Sequence, residues 1–127
     1  MSTAITKNTY KTELVTRNHH FLADEPIEQG GQNLGPTPTE LLHSSLASCT
    51  SITLRMYATR KKWEIEEIKV DVTDGINLES KESILIKKVT LIGNLDESQL
   101  KRMLVIAGKC PVHKILEKSI QIESSIS

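Results

Sequence analysis

Apolar residues recur at steps of three and four between Thr37 and Lys62, in TPTELLHSSLASCTSITLRMYATRKK. Leu42, Leu46, Cys49, Thr53 and Met56 make the stripe, flanked by Leu41, Ser45 and Ile52, and this period predicts one long amphipathic helix. Its start is well marked. Thr37 suits the capping position, Pro38 the first helical position, and Glu40 the place of a capping-box carboxylate. Ser44, Ser45, Ala47, Ser48, Thr50 and Ser51 surround Cys49, so another backbone can come close to this helix. The pattern makes it the central, buried helix of the fold, with Cys49 on its apolar face.

The other elements follow from the same kind of pattern. Residues 9–24 read as two short strands, TYKTELVTR and HHFLAD, turning near Asn18. Pro26, Gly30, Gly31, Gly35 and Pro36 mark residues 25–36 as a loop. Ile68, Val70 and Val72 alternate with Lys69, Asp71 and Thr73 as in a half-buried strand, and Asp74-Gly75 is a turn signal. ESILIKKVTLIG, residues 82–93, predicts a longer strand whose apolar phase shifts at Lys87-Lys88, the sign of a strong twist or bulge. Asp96 and Gln99 form a second capping box, ahead of an inner face of Leu100, Met103, Leu104 and Ala107 that Gly108 closes. Cys110-Pro111 opens a third, shorter helix with Val112, Ile115 and Leu116. Ile120, Ile122 and Ile126 predict a last strand. Strands, long helix, strands, helices and strand make an α+β domain with a largely antiparallel sheet.

Composition narrows the partners. The chain of 127 residues is the size of one domain, and its 16 basic and 16 acidic side chains cancel. No net field is available to attract nucleic acid or an anionic membrane. The only aromatic residues are Tyr10, Phe21, Tyr57 and Trp63, too few for a base-stacking platform. The start, MSTAITKNTY, has no apolar run, and no stretch reaches the ~18 apolar residues of a spanning helix. These features predict a cytoplasmic protein. In that reducing compartment two cysteines suit transient or catalytic chemistry better than a permanent staple.

The two cysteines differ. Cys110 stands at a helix start, where backbone N–H groups favour thiolate, and Lys109 adds charge beside it. Cys49 lies three turns inside its helix, where an apolar setting raises its pKa and activation needs a cation from elsewhere. Arg55 is about 120° round the helix from Cys49 and poorly placed. An inert buried Cys49 and an unpartnered Cys110 stay open as readings of each residue alone. Cys110-x-x-His113 has half the spacing of a zinc site, yet Cys49, Cys110 and His113 leave one ligand short. Glu40, nine residues before Cys49, is ~13 Å along the axis and half a turn away. It reaches Cys49 only through an intermediary or from a second copy of the helix.

GG-x-x-x-GP-x-P-x-ELL-x-x-x-L-x-x-CT, Gly30 to Thr50, followed by KCPVH at Lys109 to His113, resembles the OsmC/Ohr family of osmotically induced and organic-hydroperoxide-resistance proteins. The resemblance covers nearly the whole chain, and MYATRKKWEIEEIKVDV looks like its general OsmC-like branch. It implies an intertwined homodimer with two central helices packed together and two sites at the interface. It also implies a cysteine-based peroxidase in which Cys49 attacks the peroxide and Cys110 resolves the product. Glu40 matches the family glutamate that orients an arginine against the thiolate, and Arg17 is the only arginine before the helix. No metal or other cofactor is implied; a small peroxide is the substrate and an external dithiol the reductant. The alternative, from another class, is a non-enzymatic dimer that binds a small hydrophobic molecule or senses redox state.

Overall fold

The computed structural model describes residues 1–127. It is α+β, with three α-helices and two antiparallel sheets, and it divides into two compact units, Met1–His43 and Ser44–Ser127.

The first unit is a three-stranded meander of β1 (Ser2–Thr6), β2 (Thr12–Thr16) and β3 (His19–Ala23). β2 and β3 fall inside the two predicted segments, joined by Arg17 at φ 52 and Asn18. β1 was not legible as a strand, because its burial pattern shows no inward face; all five residues are exposed and it holds on by its ladder to β2. The loop after β3 is organised by Asp24. Its buried carboxylate accepts the backbone N–H groups of Glu25 at 2.8 Å, Gln32 at 3.3 Å and Leu34 at 3.2 Å. The loop doubles back so tightly that a Cβ at Gly31 would fall on the Glu25 carbonyl, and one at Gly35 on the Leu22 carbonyl. The glycines of the GG-x-x-x-GP pattern are therefore demanded by close backbone approach.

Burial would raise the Asp24 pKa, but the three N–H donors outweigh it and hold the carboxyl below its ordinary value. A depressed folded-state pKa stabilises above the unfolded value of about 3.9 and loses that stabilisation as pH falls through the folded value. Asp24→Asn is accordingly expected to melt several degrees lower at pH 7 and to lose part of the acid sensitivity of the parent. Thermal melts at pH 7 and in mild acid check this, and identical curves would remove Asp24 from the account of the loop.

Helix α1 (Pro38–Lys61) begins as the sequence predicts: Glu40 N–H donates to Thr37 Oγ1 at 3.1 Å, and Thr37 N–H to Glu40 Oε1 at 2.9 Å. The side it buries differs from the expected stripe. Leu46, Thr50, Leu54, Tyr57 and Ala58 are buried, whereas Leu42, Ile52 and Met56 are exposed. Apolar residues occupy two sides of this helix, so the sequence period averages them, and packing in the second unit selects Leu54 and Tyr57. α1 is thus buried on one side only.

In the second unit, β4 (Ile65–Ile76) pairs with β5 (Ser83–Gly93). Asp74-Gly75 is not the turn; β4 runs through it. Asn77 makes the turn instead, its side chain accepting the N–H groups of Glu79 at 2.9 Å and Ser80 at 3.1 Å. No bulge occurs at Lys87-Lys88 either. The register passes unbroken through Val72↔Lys87 and Asp71↔Lys88, and its one shift lies between Ile65 and Glu67. Leu85, Lys87, Val89 and Leu91 alternate as the less exposed side of β5, so the apparent phase change is a lysine on the inner face.

Helix α2 (Glu97–Ala107) has its capping box, with Asp96 accepting from Gln99 N–H at 2.8 Å and Gln99 returning a bond at 2.9 Å. It buries Met103, Ile106 and Ala107, while Leu100 and Leu104 are exposed, a rotation from the expected face. These residues close a core with Leu54, Tyr57, Ala58 and Ile65. Trp63 packs beside it, its ring edge-on to Tyr57 at 5.5 Å. Helix α3 (Pro111–Glu117) follows. The predicted last strand is absent: no ladder includes residues 118–127, and Ile120, Ile122 and Ile126 are exposed. Alternation marks a strand's two faces but supplies no partner for its backbone, and within the chain none is offered.

Candidate active site

The Cys110 sulfur is the meeting point of α1, α2, α3 and β5 within the second unit. Cys110 caps α3, wholly buried, with Pro111 in the first turn as the sequence predicts. Its Sγ accepts the His113 N–H at 3.3 Å. Thr50 Oγ1 lies 3.3 Å from the same sulfur, brought there by the buried side of α1. Cys49, next to Thr50 in the chain, is partly exposed. The two cysteines are free thiols, one reachable from solvent and one shut away.

Lys87 completes the cluster. Its Nζ is 3.0 Å from Thr50 Oγ1, 2.6 Å from the Ala107 carbonyl and 2.7 Å from His113 Nδ1. An ammonium has three donors and no acceptor, so these three partners saturate it. Directions follow along the whole chain of bonds. His113 accepts at Nδ1, carries its proton on Nε2 and donates it to the Glu117 carboxylate one turn on. Thr50 accepts from Lys87 and has its hydroxyl proton left for the Cys110 sulfur.

The electrostatics agree. Burial by itself raises the Cys110 thiol pKa, yet the bonds from Thr50 and the His113 N–H, together with the Lys87 charge, hold it below the ordinary value. Burial pushes the Lys87 pKa down, and the charges of Cys110, Cys49 and Glu117 draw it part of the way back.

Lys87 was missed by sequence reasoning, which explained its position as a twist. Its signal is a lysine in phase with Leu85, Val89 and Leu91 on one strand face. Lys109, the cation next to Cys110 in sequence, lies elsewhere, lining a cavity with Thr53, Met56, Tyr57 and Arg60. Arg55, as its place on the wheel suggests, is engaged away from the cysteines, with the Ile65 carbonyl at 2.8 Å. Glu40 and Arg17 belong to the first unit. Glu40 is an exposed capping residue whose pKa is lowered by hydrogen bonds from the Thr37 backbone N–H and side chain to its carboxylate, and Arg17 sits in the β2–β3 turn.

Beside the cluster is an open cavity of about 380 Å³. Leu46, Ile84, Leu85 and Leu116 give it apolar walls, and Lys87, His113 and Glu117 a polar end. No helix is long and apolar enough to cross a membrane.

Comparison with known proteins fits this architecture. The family model of OsmC-like proteins matches residues 30–125, most of the chain, and the protein belongs to that family. No curated protein matches the sequence. Among solved structures, the OsmC-like protein of Mycoplasma pneumoniae is 18% identical, with a TM-score of 0.77 over 92% of this chain and 86% of its own. A Psychrobacter arcticus 273-4 structure, assigned to the osmotic stress induced and detoxification response, is 24% identical with a TM-score of 0.75, over 90% and 85% of the two chains. An organic hydroperoxide resistance protein from Elizabethkingia anophelis is 19% identical with a TM-score of 0.65, over 90% and 84%. At such identities the likeness is one of fold.

Proposed function

We propose that the protein is a cysteine-based hydroperoxide reductase. The observation that carries this reading is the pairing of a partly exposed Cys49 with a buried Cys110 whose sulfur is supplied with donors. Cys49 meets the peroxide and becomes a sulfenic acid; Cys110 condenses with it to a disulfide. A small dithiol from the surrounding cytoplasm reopens that bond, and the reaction uses no metal or resident cofactor. The apolar walls of the cavity favour an alkyl hydroperoxide over hydrogen peroxide. Organic hydroperoxide resistance proteins among the structural relatives support the same class of substrate. The test is single-turnover oxidation of the reduced protein, following thiol loss. Cumene hydroperoxide is expected to consume two thiols per molecule and to react faster than hydrogen peroxide. Thiols that outlast an excess of both reagents would overturn the proposal and favour a non-enzymatic ligand-binding role for the same cavity.

The working form in this reading is a homodimer. Ser45, Ser48, Ile52 and Met56 lie exposed on one side of α1, and Ile120, Ile122 and Ile126 stay uncovered after α3. Small residues let a second α1 approach closely, and an isoleucine segment without a ladder suits a partner's sheet edge. Arg17 and Glu40 enter the proposal as the activating pair that family resemblance implies. Sedimentation at micromolar concentration is expected to give twice the chain mass; a folded monomer there would contradict the dimer.

A further inference from the structure

Two donors converge on the buried Cys110 sulfur: the Thr50 hydroxyl and the His113 N–H. Behind Thr50 stands Lys87, with two further acceptors, the Ala107 carbonyl and His113 Nδ1, fixing its direction. Glu117 holds the imidazole from the far side. The titratable and charged groups of the cluster are Cys49 from α1, Lys87 from β5, and Cys110, His113 and Glu117 from the α3 segment; α2 contributes only a carbonyl. Lys87 donates to Thr50, and the Thr50 hydroxyl and the His113 N–H donate to a sulfur that accepts.

We propose that Lys87 is the positioning cation of the buried cysteine: acting through Thr50, it holds Cys110 ready as the thiolate that attacks the oxidised Cys49. The lowered thiol pKa of Cys110 is in keeping with this. The role rests on the peroxidase reading for its chemistry, but not for its electrostatics.

The step balances as follows. Cys49, partly exposed, gives its proton to solvent and its sulfur attacks the outer oxygen of the hydroperoxide; the O–O bond breaks and an alkoxide leaves, taking a proton from water to depart as the alcohol. The Cys110 thiolate then attacks the sulfenic sulfur of Cys49 and displaces hydroxide. Two electrons reduce the peroxide, and the two sulfurs lose them in forming the disulfide. The buried, hydrogen-bonded site of Cys110 keeps it from meeting peroxide itself.

The test is a titration of ultraviolet thiolate absorbance without peroxide, which needs no reagent to reach the buried sulfur. Cys49→Ser, whose one thiol is Cys110, is expected to ionise below the free-cysteine range of about 8.5. Adding Lys87→Met or Thr50→Val to Cys49→Ser is expected to move its midpoint up to the free-cysteine range of about 8.5. Thr50→Ser, which keeps the hydroxyl, is expected to leave the midpoint where it was. Circular dichroism checks the fold, and Thr50→Val carries the test should Lys87→Met not fold. A midpoint in Cys49→Ser at or above the free-cysteine range, or one that neither Lys87→Met nor Thr50→Val moves, would overturn the assignment of Lys87 while leaving peroxidase activity standing. Failure of the peroxide reaction alone would leave the titration, and the charge placement, intact.

Discussion

Cys49→Ser is expected to bring the single-turnover reaction with cumene hydroperoxide down to background, a loss of roughly a thousand-fold or more, as when a nucleophile is removed outright. The reason lies in the unequal exposure of the two sulfurs. Cys110 is fully enclosed and bonded to Thr50 and the His113 N–H, so it cannot take over the attack. Cys49 is the one thiol with solvent access. A serine hydroxyl keeps the size and a hydrogen bond but is not a nucleophile toward an O–O bond at neutral pH. The rate is followed by stopped-flow loss of thiol. A Cys49→Ser protein that reacts as fast as the parent would show that Cys49 is not the attacking group.

Leu54→Ala is expected to cost ~2–5 kcal/mol of stability, the range for deleting a fully buried leucine side chain. Leu54 has no exposed surface, and it lies in the cluster with Tyr57, Ala58, Ile65, Met103, Ile106 and Ala107. α1, α2 and the start of β4 meet there with β5 packed against them, so no single one can move in to fill the gap. Thr50, one turn earlier on the same side of α1, is held by the same packing. The substitution should therefore loosen the site as well as the core. Denaturant titration measures the loss, and a cost under about 1 kcal/mol would mean that the core closes without Leu54. Leu78→Ala in the β4–β5 turn is the natural control, since Leu78 is 83% exposed.

Local chemistry was the legible part of this sequence. The caps at Thr37–Glu40 and Asp96–Gln99, the helix start at Cys110-Pro111 and the loop glycines depend on neighbours a few residues away. What depended on distant partners was read less well. The buried side of α1 is chosen by α2 and the sheet, so Leu54 and Tyr57, not Thr53 and Met56, face inward. The last strand failed because period-two alternation carries no information about a pairing edge. Lys87 is the instructive case. A charge that interrupts an apolar strand face was explained by distorting the strand, whereas the strand is regular and the charge has a purpose. Local rules tend to break where function demands it. The settings of Cys49 and Cys110 singled them out one by one, and only the family resemblance paired them. That Thr50 and Lys87 join the Cys110 sulfur between α1, α3 and β5 is a fact of the tertiary fold.

The central claim is that peroxide turns these two thiols of one chain into a disulfide. Mass spectrometry of the reduced protein, treated with one equivalent of cumene hydroperoxide, quenched by alkylation and digested without reductant, addresses it directly. The account predicts a peptide linking Cys49 to Cys110 within a chain, formed as the two free thiols disappear. Oxidised protein in which Cys110 remains alkylatable, or in which the linkage joins different chains, would contradict it.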